Sequence, residues 1–429
     1  MGLFSRVAHN FMEGQRVQDE ALSFIEHKVY ERYGIRIDKN NSDPEARCTY
    51  LYDAVGFTPK TLNSIGSWGN AFFVRHNYPV MCLYDGTEDY KLDPNDHSKK
   101  LDGTASDISD SSYGGNAMAA FDCPIWMKFY EDENYTYFEV ASEKLDDDFV
   151  DWPYIRANGT HASKIYYPMF EGTIIDSKLR SIAGVKGTSD TTASEEQTAA
   201  QANGSNWSIG DWSHHLWLTV LMTLMGKSTN VQATFGNGNM SGGYSAASFK
   251  TNGACMTYGQ FYGTTGSSDP MKAFFIENVY ANRWKRTLGF YNINGTYYIK
   301  NTPPYTVDET YDGYTNCGSV PSSNNYLKNL RIANGNPVPN VTSGDSASTY
   351  YSDYFYTDNN QKNMLLLGGD CHFGAICGPW CVYVYYGASI RYWGIGASPY
   401  LACPEIDGNV LVDANDNTIV DSNNNAILV

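Results

Sequence analysis

Three clusters in this sequence hold residue types that could do chemistry. His214-His215 is the only adjacent histidine pair. Neighbouring positions on a helix diverge by about 100°, so the two cannot chelate one ion together, and a structural role is the plainer reading. Asp146, Asp147, Asp148 and Asp151 could offer loop oxygens to calcium, although a solvated acidic loop has the same composition. Cys371-His372 with Cys377 and Cys381 places three thiols and an imidazole within eleven positions. Structural zinc is held by two tight pairs, whereas the successive cysteines here are separated by five and three residues, a poor match. No metalloprotease helix, Walker loop, dinucleotide fingerprint or nucleophile elbow occurs. No two carboxylates can be paired across a glycosidase cleft. No catalytic or metal-ligating residue is assigned, and the chain is not expected to be an enzyme.

The composition points to recognition instead. Of 429 residues, 42% are apolar and only 18% are charged, so neutral polar groups must cover most of the surface, and 34 Tyr and 39 Gly are available. Tyr, Asn, Ser and Gly are the residues of binding surfaces. The net charge of -17 repels phosphate backbones and anionic headgroups, and the longest basic run, Arg283, Lys285 and Arg286, is too short to track a nucleic acid. Nucleic-acid binding is therefore not expected. Neither is membrane insertion: the most apolar stretch, Leu216 to Met225, is about half of a bilayer span, and the amino terminus lacks the apolar run of a signal peptide. Nine cysteines, an odd number, fit free thiols in a reducing compartment better than a disulfide framework.

The elements that would position any site read as follows. Residues 1–33 suggest an N-terminal helical segment for attachment or oligomerisation, with Phe4, Val7 and Phe11 on one face. Short strands are expected at 34–38, 48–52, 79–84, 125–130 and 135–140 from their alternation. Residues 93–116 and 186–206 read as long flexible loops. Asp211 to Gly226 reads as a buried helix, with Asp211 or Ser213 as N-cap. Residues 403–429 read as a β-repeat tail, in which Val412-Asp413, Val420-Asp421 and Leu428-Val429 recur every eight residues.

Several motifs together resemble a known family. Gly34-Ile-Arg-Ile-Asp38, Asn41-Ser-Asp-Pro44 and Tyr50-Leu-Tyr-Asp-Ala-Val-Gly56-Phe-Thr-Pro59 are similar to the opening of a domain common in phage fibre and adhesin proteins. Phe275-Ile-Glu-Asn278-Val-Tyr-Ala-Asn282-Arg-Trp284 resembles an element of the formylglycine-generating-enzyme-like branch of the C-type lectin fold, with Ala281 where the family usually has Gly. Leu366-Leu-Gly-Gly369, Gly374, Ala388-Ser389 and Gly394-Ile-Gly-Ala397 resemble the closing strands of that domain. The resemblance implies an α+β fold over residues 34–402: a C-type lectin-like domain with short twisted strands, a buried helix and long loops. It also implies that structural calcium is possible, with no other cofactor.

Residues 365–402 contain no Asn, Lys, Glu, Gln or Met, although Asn is abundant on both sides. This absence suggests the variable segment of a diversity-generating-retroelement target, in which adenine-rich Asn codons are rewritten, as in phage tropism determinants. On that reading Asp370, His372, Phe373, Ile376, Tyr383, Tyr385, Tyr386, Ile390 and Tyr392 form a receptor-binding surface, while Pro379, Trp380, Ala388, Ser389 and Trp393 are scaffold. The resemblance implies a phage virion protein, a tail or head fibre component in a homotrimer. Its partners would be other virion proteins and a bacterial surface protein or glycan. A glycan-acting enzyme and a purely structural decoration or connector protein are the alternatives.

Overall fold

The computed structural model describes residues 30–402. Residues 1–29 of the helix expected over 1–33, and the β-repeat tail expected over 403–429, lie outside the described residues. Arg32 and Tyr33, read from sequence as the end of that helix, open a strand instead, Arg32–Asp38. Tyr33, Ile35 and Ile37 are buried while Arg32, Arg36 and Asp38 are not, which is the two-residue period of a half-buried strand.

Three sheets carry the molecule. The first is fully antiparallel, in the order Cys48–Tyr52, Arg32–Asp38, Tyr135–Ala141, Trp126–Glu131. The second runs Trp207–Ile209, Pro399–Ala402, Ile165–Pro168, Gly115–Phe121, Asn77–Leu83, Glu88–Lys91, also antiparallel. The third runs Thr315–Ser319, Thr296–Ile299, Trp284–Ile293, Lys362–Leu367, Val382–Val384, Tyr354–Thr357, Asn325–Tyr326, with Ile395–Gly396 parallel to its long strand. Val382–Val384 is antiparallel to Lys362–Leu367 and parallel to Tyr354–Thr357, so it is paired along both edges.

One helix, Trp212–Gly226, ties the sheets together. Its sequence is apolar nearly all round, and every residue except His214 is buried. Trp217 meets Phe129 of the first sheet at 6.0 Å, His214 meets Tyr167 of the second at 5.3 Å, and Trp212 meets Phe290 of the third at 5.1 Å. Asp211 is the N-cap, accepting from the His214 amide, and the helix ends where Lys227 turns left-handed at φ 49°.

The α+β class expected for a C-type lectin-like domain is not the class the chain adopts. The described residues are 33% strand and 13% helix, and of the four described α-helices only Trp212–Gly226 and Ala193–Gln201 exceed five residues. The architecture is mainly β. Period-two patterning dominates the sequence, and the two longer helices fill gaps between sheets without forming a layer. The two expected flexible loops also differ from the reading. Residues 186–206 contain the helix Ala193–Gln201, started by a reciprocal capping box between Thr192 and Glu195. Residues 93–116 fold through successive side-chain turns in which Asp93, Asp96, Asp102 and Asp110 accept from amides two residues on.

Candidate recognition surface

The strand Lys362–Leu367 ends at Gly368 and Gly369, both at positive φ (91° and 83°), which turn the chain out of the sheet. The chain then loops through His372 and Ile376, returns as Val382–Val384, and loops again to Tyr392. Its backbone is held by short-range turns of its own, such as Cys377 N–H to Gly374 O and Ile390 N–H to Gly387 O, and by anchors elsewhere in the fold. Asn282 O accepts from the Cys371 amide at 3.0 Å, and Met240 O from the Gly374 amide at 2.7 Å. Asp353 Oδ2 accepts from the Trp380 amide at 2.7 Å, and His215 Nε2 donates to Pro379 O at 2.9 Å. Beyond the strand, the Met364 amide donates to Tyr386 O (2.9 Å), and Arg286 donates to Ala388 O (3.4 Å) and Ile390 O (3.1 Å). Trp380 is buried, donating its indole N–H to Thr223 Oγ1 at 3.0 Å.

On this frame the side chains divide by direction. Val382 and Val384 point into the core, and between them Tyr383 points out. Tyr383, Tyr386, Phe373, Tyr392 and Ile390 pack on an apolar floor of Trp284, Leu366, Cys381 and Ile395. Phe373, Tyr383, Tyr386 and Tyr392 rim a shallow depression of about 220 Å³, open solvent included. The rings touch in series: Phe373 to Trp284 at 5.2 Å, Tyr383 to Trp284 at 5.0 Å, Tyr383 to Tyr386 at 5.3 Å, Tyr385 to Tyr386 at 5.4 Å and Tyr386 to Tyr392 at 6.1 Å. His372 is exposed, and its ring lies 6.2 Å from Phe373. Burial pushes the Tyr383 and Tyr392 hydroxyls above the usual phenol range, so they stay neutral. Arg391 is ion-paired with Glu195, which leaves the surface almost without free charge.

Eight of the nine residues named from sequence therefore reach the surface, and seven form one aromatic and aliphatic cluster. Ile376 is half-buried on the short 3-10 turn Gly374–Ile376 and is not among the residues packed on that floor. Asp370 does not reach the surface. It is fully buried, with Oδ1 accepting the His372 amide at 2.9 Å and Oδ2 without a partner, and burial pushes its carboxyl up to about 7. Among the residues read as scaffold, Pro379, Trp380 and Ala388 are buried, Trp393 is half-buried and Ser389 is exposed.

Sequence reasoning missed the neighbours that complete the cluster. Tyr244, 61% exposed, accepts a hydrogen bond from the Tyr392 hydroxyl at 2.6 Å, and its ring lies 5.0 Å from His372 and 4.9 Å from Trp393. Tyr354 and Tyr356 extend the row along the adjacent strand, 4.6 Å from each other and with Tyr356 5.1 Å from Tyr383. The alternation Tyr354-Phe355-Tyr356 carried a signal for the strand pair, whereas Tyr244 sits in a Gly- and Ser-rich loop that carried none.

The other clusters are placed as follows. Asp146 and Asp148 both pair with Lys128 at 2.9 Å, and Asp151 pairs with His161 at 2.8 Å. Cys371, Cys377 and Cys381 are buried free thiols, with the Cys377 thiol donating to Asp370 O at 3.3 Å. Among the described residues no three His, Cys, Asp or Glu side chains converge as metal ligands. Ala281, which replaces the Gly usual in the resembling element, is left-handed at φ 58°, where a Gly would carry less strain. No described helix is long and apolar enough to cross a membrane. No family model matches the chain, and no curated protein matches it in sequence.

His215, under the Pro379 turn, gives the frame a pH dependence. Burial lowers its pKa to about 4, so the folded state holds it neutral. A depressed His pKa contributes stability that is complete above about pH 6.5 and is lost as pH falls toward 4. Acidification from pH 7 to 5 is expected to remove about 2 kcal/mol through this group. His97, also lowered to about 4 by burial, adds to the same loss. Urea unfolding of His215→Gln at the two pH values should show a smaller difference than the parent, and an unchanged difference would discount this origin.

Proposed function

We propose that this protein is a phage virion adhesin that binds a bacterial surface receptor through the aromatic surface built on residues 372–392. The observation that carries this reading is the division of one segment into outward side chains and a backbone anchored at several main-chain atoms by residues outside it, Arg286, His215 and Asp353 among them. That is how a binding loop keeps its shape while its contacts change. The same stretch lacks Asn, Lys, Glu, Gln and Met, which fits rewriting of Asn codons by a diversity-generating retroelement. Large phenol and indole faces supply contact area at low entropy cost, and the near-neutral patch on a chain of charge -17 favours a protein or neutral glycan receptor. Assembly as a homotrimer with other virion proteins would multiply weak contacts into avidity.

The test is adsorption. Replacing Tyr383, Tyr385, Tyr386 and Tyr392 together with Ala should reduce adsorption to host cells by at least about tenfold while near-ultraviolet circular dichroism of the rest of the fold is retained. Undiminished adsorption by a folded variant would overturn the proposal. Particle incorporation without any cell binding by the parent protein would favour a decoration or connector role.

A further inference from the structure

We infer that the cleft between helix Ala193–Gln201, the start of helix Trp212–Gly226 and strand Pro399–Ala402 is a second binding site, and that it takes a neutral polyhydroxylated ligand, a short glycan. It is lined by none of the residues of the aromatic surface and does not depend on that reading. The cleft holds about 1550 Å³ of empty space, open solvent included, ample for a small ligand.

Its lining combines ring surfaces with neutral hydrogen-bonding groups. Trp152, Tyr305 and Tyr400 supply the rings, and Gln201, Asn206 and His214 supply the polar groups. His214 is the one residue of its helix that is not buried, and it faces this cleft. Its Nδ1 lies 2.8 Å from Oδ2 of Asp211, the buried N-cap carboxylate. An acceptor-only carboxylate there fixes the proton on Nδ1 and leaves Nε2 as a lone-pair acceptor for a hydroxyl. The rings of Tyr167 and Tyr400 flank the imidazole at 5.3 and 5.2 Å and hold its orientation.

The lining also selects against other ligand classes. Among the described residues that line it, Arg156 is the only Arg or Lys, and that guanidinium already donates to Thr160 Oγ1 and His161 O, so a phosphate or polycarboxylate finds no pair of cations there. The polar groups disfavour a lipid chain, which would leave them unpaired. A sugar ring offers an apolar C–H face to an aromatic ring and hydroxyls to amides and an imidazole. The chain's own residues from 403 onward, which follow Ala402 at the rim, are the competing occupant.

Saturation-transfer NMR on the full chain with maltotriose, chitotriose and mannotriose as probes tests the inference. Transfer to at least one trisaccharide is expected, weakened at least about fivefold by His214→Gln and by Gln201→Ala. The Tyr383, Tyr385, Tyr386 and Tyr392 alanine variant should bind the same sugar unchanged. Gln201 lies on an exposed helix turn, so its variant decides the matter if His214→Gln fails to fold. No transfer to any probe overturns the inference. So does transfer unchanged in both cleft variants, transfer lost in the tyrosine variant, or photo-cross-linking from position 201 to residues 403–429 in the sugar-free protein.

Discussion

Replacing Glu196 with alanine is expected to cost about 3–5 kcal/mol of folding free energy, because it strands a buried guanidinium. Glu196 Oε2 accepts from Arg286 Nε at 2.6 Å, and the two side chains are 1% and 0% exposed. Arg286 also donates to Thr191 O, Ala388 O and Ile390 O, so it clamps the loop that carries the aromatic surface to the helix Ala193–Gln201. Without its carboxylate the cation must either stay buried and unpaired or leave and free those carbonyls. Denaturant unfolding of the variant measures the cost, and a loss below about 1 kcal/mol would show that the pair is dispensable. Replacing both partners by apolar residues, Glu196→Leu with Arg286→Met, should cost less than Glu196→Ala alone, because no unpaired charge remains.

Asp370→Asn should stabilise the protein at neutral and alkaline pH by on the order of 3 kcal/mol. The carboxyl is fully buried and its folded-state pKa is raised to about 7 by desolvation, against an opposing contribution from Lys285. A carboxyl whose pKa is raised on folding favours the native state only while it is protonated. Its penalty is absent below about pH 4 and grows through about pH 7, opposite in sign to that of His215. Asparagine keeps an oxygen acceptor for the His372 amide and carries no charge. The difference between variant and parent, read from unfolding midpoints, should therefore be large at pH 8 and vanish near pH 4. Equal stabilities at pH 8 would refute the burial argument. On the proposed diversification reading Asn is also the residue that an unedited codon would specify at 370.

Much of the frame was legible from period alone. Gly34 to Asp38, Cys48 to Tyr52 and Tyr135 to Val140 alternate strongly enough to mark strands, and the helix from Asp211 announced itself by its cap and its unbroken apolar run. The fold class was not legible. Pairing of Val382–Val384 between Lys362–Leu367 and Tyr354–Thr357 is a long-range event that local sequence cannot specify, and so is the small share of helix in the whole. The helix at Ala193 was masked by its polar composition even though Thr192-Ala-Ser-Glu195 spelled a capping box. At the site, missing residue types drew attention to the right segment. They could not distinguish Asp370, which turns inward beneath Gly394, from Tyr383, which turns outward on its strand. Tyr244 reached the surface from a loop with no periodic signal, and only tertiary structure joined it to Tyr392.

The clamps on this segment act through main-chain atoms: Arg286 on the carbonyls of residues 388 and 390, His215 on that of 379, Asp353 on the amide of 380. Every amino acid carries that carbonyl, and every one but proline carries that amide. These clamps are therefore blind to the exposed side chains, while the buried ones, Asp370, Trp380, Val382 and Val384, stay part of the frame. On the proposed adhesin reading, the exposed residues can be exchanged one after another at a pace set by the receptors met, with little demand from these main-chain clamps.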